Sequence, residues 1–355
     1  MITLIFCGDL RYCPYISRYI ERLDMHAVSY QVLFWNRAGL NLHLPNNYFY
    51  YNKPSSEKND KFKKFVDFIG FRHWLIKHLK KNESDGYIFL STLTGIMLHL
   101  CMDKLIKPYI FDIRDYSYEN IKLFCLIEKE LINNSFFTAI SSKGFKAFLP
   151  NYNYIIAHNF NRKEFIGGTS FRKQTEPLKL VWNGTVRFFE FQKHYIDALK
   201  NDKRFLLVYH GTGTDIEKYK KYCKENNVNN VVFTGAYENS QKPELLKDAA
   251  ILNNCYGGSH GDELKHAVSN RFYDGLLYKI PQLVEKNCYK ADLIKKWHVG
   301  ISLESDSHFA DNLYDYYQSI NSDEFNQCCD NALKEISIED DKFINKIDDF
   351  IKTVI

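Results

Sequence analysis

Arg187 and Lys193 stand six residues apart, just after an apolar run, Leu180-Val-Trp-Asn, that ends in Gly184. A glycine closing a strand suits a tight turn where backbone must approach a ligand. Two cations fixed beside such a turn suit a diphosphate that gains charge as its bond to a sugar breaks. They would stabilise that transition state more than the ground state. Alone, an arginine and a lysine near a loop usually make a solvated surface. A second segment turns the reading toward a ligand. Ser269-Asn270-Arg271 opens a predicted short helix, whose first backbone N–H groups can hold a phosphate. Asp274, one turn in, has the type and place to accept hydrogen bonds from ribose hydroxyls. A first-turn carboxylate favouring the helix dipole is the plainer alternative.

The first half echoes this pattern. Leu4-Ile-Phe-Cys-Gly8-Asp-Leu-Arg11 has the same apolar strand, glycine, and arginine three residues on, so Gly8 joins Gly184 among residues that border donor phosphates. Phe111-Asp112-Ile-Arg-Asp115 follows another apolar run and belongs at the C-terminal end of a strand, where α/β sheets bind ligands. Asp112 or Asp115 could orient an acceptor hydroxyl or take its proton. The competing reading is an Asp–Arg–Asp structural network. His158 and Asn159 read as capping residues at a hinge. Glu304-Ser-Asp306 follows a strand candidate, but helix capping explains it better than metal binding, so no metal is expected. There is no Ser-His-Asp set and no Walker loop, and His210-Gly-Thr-Gly213 is too short for a dinucleotide fingerprint.

Such residues need a frame, and the chain supplies one in short apolar runs alternating with longer amphipathic segments, the pattern of βα units on parallel sheets. The first series of predicted strands is Thr3–Cys7, Ser29–Phe34, Tyr87–Leu90, Tyr109–Asp112, Phe137–Ile140 and Tyr154–Ala157. The second is Lys179–Trp182, Phe205–Tyr209, Val231–Thr234, Ala250–Asn253, Gln282–Val284 and Gly300–Leu303. Each suffices for its own doubly wound sheet. The expected fold class is therefore α/β, two Rossmann-like domains facing across a cleft: 1–162, a polar linker over 163–177, and 178–336. A last amphipathic helix within 337–355 would return to the first domain.

Gly184-x-x-Arg187…Lys193, Asn253-Asn-Cys-Tyr-Gly257 and Ser269-Asn-Arg-Phe-Tyr-Asp274…Lys279-Ile-Pro281 together resemble the donor domain of bacterial family-4-type glycosyltransferases with the GT-B fold, enzymes of surface-polysaccharide synthesis. The resemblance spans nearly the whole chain in segment order and is specific in about 100 residues of the second half. It implies a nucleoside-diphosphate sugar as donor, probed first as UDP-linked, with retention of anomeric configuration. Gly8, Gly184, Arg187, Lys193, Gly235, Tyr237, Asn270, Arg271 and Asp274 are then the donor site: Arg187 and Lys193 on the diphosphate, Asp274 on the ribose, Gly235 and Tyr237 by the base. Similar enzymes carry D-x-R-D in the loop nearest the reacting sugar, which adds Asp112 and Asp115 to Arg187 and Lys193 as catalytic candidates. The chain departs from the family at three places. Asp274 stands for a glutamate, His266 for the glutamate eight positions earlier, and Lys279 for a glycine.

At 355 residues the chain exceeds one ordinary core, and 45% hydrophobic with 25% charged residues describes a globular protein. Nine cysteines without a C-x-x-C pair argue against a disulfide framework and a zinc knuckle. A net charge of +4 permits an anionic substrate or an acidic membrane without requiring either. Segment 61–81 interleaves Phe62, Phe65, Phe68, Phe71 and Trp74 with six lysines. It reads as a helix on an anionic bilayer near a lipid-linked glycan acceptor, or as a surface helix packed on its own domain. No nucleic-acid module accompanies the charge, and no cofactor is expected. A cytoplasmic protein, peripheral on the inner face of the membrane, fits these features. The rivals are a sugar-nucleotide epimerase or hydrolase on the same architecture, and a catalytically silent nucleotide-binding partner.

Overall fold

The computed structural model describes residues 1–55, 61–105, 107–159, 169–257 and 262–355. The chain divides into two compact units, Met1–His158 with Glu339–Ile355, and Asn159–Ile338. Residues 163–168 of the expected linker, with Gly167 and Gly168, lie outside the described residues. Its remainder packs in unit 2. Phe171 is buried against Tyr317 and Phe325, and its amide donates to Asn326 Oδ1 at 2.8 Å.

Unit 1 is built on seven parallel strands: β1 (Ile2–Phe6), β2 (Tyr30–Asn36), β3 (Tyr48–Asn52), β4 (Gly86–Phe89), β5 (Tyr109–Ile113), β6 (Phe137–Ile140) and β7 (Ile155–Ile156). Their order is β3-β2-β1-β4-β5-β6-β7, doubly wound with its reversal between β1 and β4. β1 is buried at every position, as a central parallel strand must be when helices cover both faces. Helices α1 (Ile16–Met25), α2 (Lys61–Leu79), α3 (Thr92–Leu105) and α4 (Lys122–Asn134) supply that cover. β3 has no counterpart among the predicted strands. It is an edge strand with no wholly buried residue, so it lacks the apolar run that marks the others.

Unit 2 carries β8 (Leu178–Asn183), β9 (Phe205–His210), β10 (Val231–Gly235), β11 (Ile251–Asn253), β12 (Gln282–Val284) and β13 (Gly300–Ser302), ordered β10-β9-β8-β11-β12-β13 and again all parallel. Its helices are α5 (Phe189–Leu199), α6 (Ile216–Glu225), α7 (Lys242–Leu246), α8 (Asp262–His266), α9 (Asn270–Leu277), α10 (Tyr289–Trp297) and α11 (Phe309–Ser319). Tyr195, Phe309, Leu313 and Tyr317 close one face of the sheet. Leu246 and Ile280 pack on Val181, Val208 and Leu252 on the other.

The last helix, α12 (Ser322–Val354), is much longer than the expected 337–355. No proline or glycine interrupts Ser322–Val354, so nothing in the sequence stops the helix there. Phe325, Cys329, Leu333 and Ile336 join the core of unit 2. Phe343, Ile347, Phe350 and Ile351 join that of unit 1, beside Ile2, Leu4 and Tyr19. Each such side chain contributes roughly 1.5–3 kcal/mol by leaving water.

Candidate functional site

A doubly wound sheet opens its ligand crevice where the winding reverses, beyond the carboxyl ends of the strands there. In unit 2 those strands are β8 and β11. Gly184 leaves β8 at φ +111°, left-handed backbone that glycine adopts without strain. Its amide donates to His210 O at 3.0 Å, tying the turn to the end of β9. Gly211, at φ +130°, lies so close that a Cβ would stand 1.9 Å from Gly184 O. Backbone alone forms the floor here. Gly235, at φ +84°, faces open space at the end of β10.

The loop after β11 is held by side-chain amides. Asn253 Nδ2 donates to Gln192 Oε1 at 2.8 Å, and Asn254 Nδ2 to Gln282 Oε1 at 2.7 Å. Ser269 caps α9 by accepting from the Phe272 amide, and its hydroxyl donates to Asn254 Oδ1. Asn270 is exposed on the first turn of that capped helix. Arg271 corrects the sequence reading. It is buried, and its guanidinium donates to Asn183 O at 2.9 and 2.7 Å and to Asn253 O at 2.6 Å, while stacking 3.7 Å over Trp182. Burial lowers its pKa. The guanidinium satisfies carbonyls at the ends of β8 and β11, so it braces the floor of the crevice.

Asp274 is buried in α9, directed at the end of β8. Asn183 Nδ2 donates to Oδ2 at 2.9 Å and Lys242 Nζ to Oδ1 at 3.0 Å. Tyr237, half-buried after β10, has its phenol pKa raised, chiefly by burial; Lys242, Asp274, Arg271 and a hydrogen bond with Asn183 also act on it. Asn183 and Lys242 escaped the sequence reading. An amide just before a strand-ending glycine is a usable signal for Asn183. Lys242 follows the polar run Glu238-Asn-Ser-Gln, which has no periodicity to mark it.

Arg187 is exposed, 4.6 Å from the ring of Phe188, and no ion pair engages it among the described residues. Lys193 is one turn into α5 and pairs with Glu190 at 2.7 Å, a hydrogen bond that lowers the Glu190 pKa.

Gly8, Asp112 and Asp115 belong to unit 1. Gly8 is buried just beyond β1, and neighbouring Asp9 pairs with Arg11 at 2.9 Å. Asp112 is wholly buried: Tyr19 donates to it at 2.7 Å, and Arg114 pairs with it at 2.7 Å. Arg114 also donates to Ala157 O at 2.7 Å and stacks on Tyr15. Burial works against the Arg114 charge, but Asp112 and the two tyrosines raise its pKa. The expected acceptor-orienting role of Asp112 is corrected, because its carboxylate is spent inside the unit. Asp115 is exposed on the following loop. Among the described residues, no group of three or more His, Cys, Asp and Glu side chains could hold a metal ion.

No protein-family model matches the chain, and neither does any curated protein. Solved structures do match. A sucrose-phosphate synthase from Thermosynechococcus elongatus is similar over 99% of this chain and 98% of its own, at TM-score 0.73 and 10% identity. HepE of Anabaena, solved with UDP, is similar over 98% and 99%, at 0.67 and 10%. The lipopolysaccharide outer core galactosyltransferase WaaB is similar over 100% and 99%, at 0.62 and 15%. At such identities the likeness is one of fold. The chain has the GT-B fold of these proteins, with two doubly wound α/β units.

Proposed function

We propose that this protein is a glycosyltransferase that moves a sugar from a nucleoside-diphosphate donor, UDP-linked, onto a lipid-linked surface-glycan acceptor. The carrying observation is the cradle of unit 2, where the glycine turn at Gly184, the capped start of α9, Tyr237 and the Asp274 carboxylate meet at the winding reversal. The diphosphate would lie along the Gly184 turn and the Asn270 amide, with Arg187 supplying charge and Lys193 leaving Glu190 to join it. Ribose would lie on Asp274 and the base by Gly235 and Tyr237. As the donor C1–O bond breaks, charge develops on the departing diphosphate, where fixed cations act most strongly. The acceptor oxygen forms the new bond to C1 with retention of configuration, and its proton passes to the departing phosphate. Asp115 would orient the acceptor. The arginine and lysine supply the charge that a metal supplies elsewhere, so the reaction would run without one.

The outer face of α2 supports a peripheral seat on the inner membrane surface. Phe62, Phe65, Val66 and Ile69 are exposed at helical spacing near Lys63 and Lys64, while Phe71, Leu75 and Leu79 pack inward. Among the described residues, no helix is long and apolar enough to cross a membrane.

Calorimetric titration with UDP and GDP, then donor turnover with and without glycolipid acceptor, tests the reading. UDP should bind, turnover should require acceptor and survive EDTA, and Arg187→Ala should cut it about 10²-fold, the scale of one lost preorganised charge. Turnover without acceptor would indicate the hydrolase or epimerase, and tight binding with no turnover the silent partner.

A further inference from the structure

Lys242 is an unusual residue to find where it is. Its side chain is 14% exposed, and burying an ammonium costs hydration that only a well-placed counter-charge offsets. The counter-charge is Asp274 Oδ1 at 3.0 Å, and the second oxygen of that carboxylate is fixed by Asn183 at 2.9 Å. This pair stands outside the apolar core of the unit, in the cradle at the strand ends with Asn183 and Tyr237. Two donors on different oxygens fix the plane of a carboxylate that would otherwise rotate. Each oxygen has two lone pairs, so both can accept a further hydroxyl beside the present donor.

We propose that Lys242 is a positioning residue for nucleotide recognition, holding the Asp274 carboxylate aimed at the ribose hydroxyls and cancelling the charge it would set against the diphosphate. This rests on the donor site proposed above. A carboxylate suits ribose because it accepts from both hydroxyls, yet it repels the phosphates a few ångströms on. The ammonium on Oδ1 offsets that charge and, having only donors, does not compete with the carboxylate to accept from the hydroxyls. Lysine and aspartate therefore act as one ribose-reading unit.

The test compares UDP with 2′-deoxy-UDP by calorimetry on the wild type, Lys242→Met, Asp274→Asn and the double variant, with melting curves alongside. The wild type should prefer UDP by roughly tenfold, the scale of one hydrogen bond to a charged group. Lys242→Met should weaken UDP about tenfold and shrink the preference below about threefold. The double variant should be no weaker than the worse single one, as for residues that share one interaction. Lys242→Gln keeps a donor to Asp274 but not the charge. It should retain the preference while losing affinity for both ligands, and it replaces Lys242→Met if that variant melts early. Unchanged affinity in Lys242→Met overturns the proposal. So does loss of both ligands in equal ratio in that variant, loss of the preference in Lys242→Gln, or strict additivity in the double variant. A folded wild type that binds neither ligand overturns the donor site itself, and this proposal with it.

Discussion

Lys143 and His158 both reach the carboxylate of Glu339, the histidine at 2.8 Å, where α12 enters unit 1. Burial opposes ionisation of Glu339, but hydrogen bonds from these two partners outweigh it and push its pKa down to about 2. A depressed carboxylate stabilises the fold fully above its unfolded value, near 4.5, and that contribution is lost as pH falls toward 2. Glu339→Gln should therefore lower the melting temperature at pH 7, and its gap from the wild type should close between about pH 4.5 and 2. A gap independent of pH would show that packing, not charge, holds the junction. The same scale shows what sequence can and cannot separate. Asp112 and Asp115 share one motif, yet one is sealed against Arg114 and the other faces water. Asp112 lies within β5 and Asp115 on the loop beyond it, and the motif does not mark where the strand ends. Asp274 and Gly184 were legible because a helix start and a strand end fix their places. Lys242 comes to Asp274 across 32 residues, and no local pattern encodes that meeting.

The strands were the most legible elements, since a buried parallel strand is a short apolar run whatever its neighbours. β3 escaped because its aromatic residues half-face solvent at the sheet edge, and α12 because length without a stop signal is hard to bound. α2 shows two apolar stripes on one helix, and its sequence alone could not say which would be covered. The inner stripe is spent on unit 1. The outer one should bind anionic bilayers: sedimentation with phosphatidylglycerol vesicles should capture the protein, and neutral vesicles should capture less. Lys63→Gln and Lys64→Gln should each weaken capture about fivefold, near 1 kcal/mol per basic residue at an anionic surface. Phe65→Ser with Ile69→Ser should abolish it without changing nucleotide affinity. Equal capture of these variants would assign the stripe to another purpose.

On the scale of the whole molecule, the two units are not two consecutive stretches of chain. Unit 1 takes its first 158 residues from one end of the sequence and its closing helix face from 339–355, with all of unit 2 between. A chain cut after Ile338 should leave the face over β1 without Phe343, Ile347, Phe350 and Ile351. Limited proteolysis and melting should then show a loosened unit 1 beside an intact unit 2, while a cut that left both equally stable would deny the helix that role. The same arrangement sets an order of events during synthesis. Domains generally fold as units while the chain emerges from its N-terminal end. Here the first unit made is the last that can be finished, because its final apolar face is translated only after unit 2 is complete. Until then the nascent Met1–His158 segment exposes a greasy patch that invites chaperone attention. Early termination anywhere in the second half would leave that patch permanently uncovered, a built-in mark by which quality control could recognise an incomplete copy.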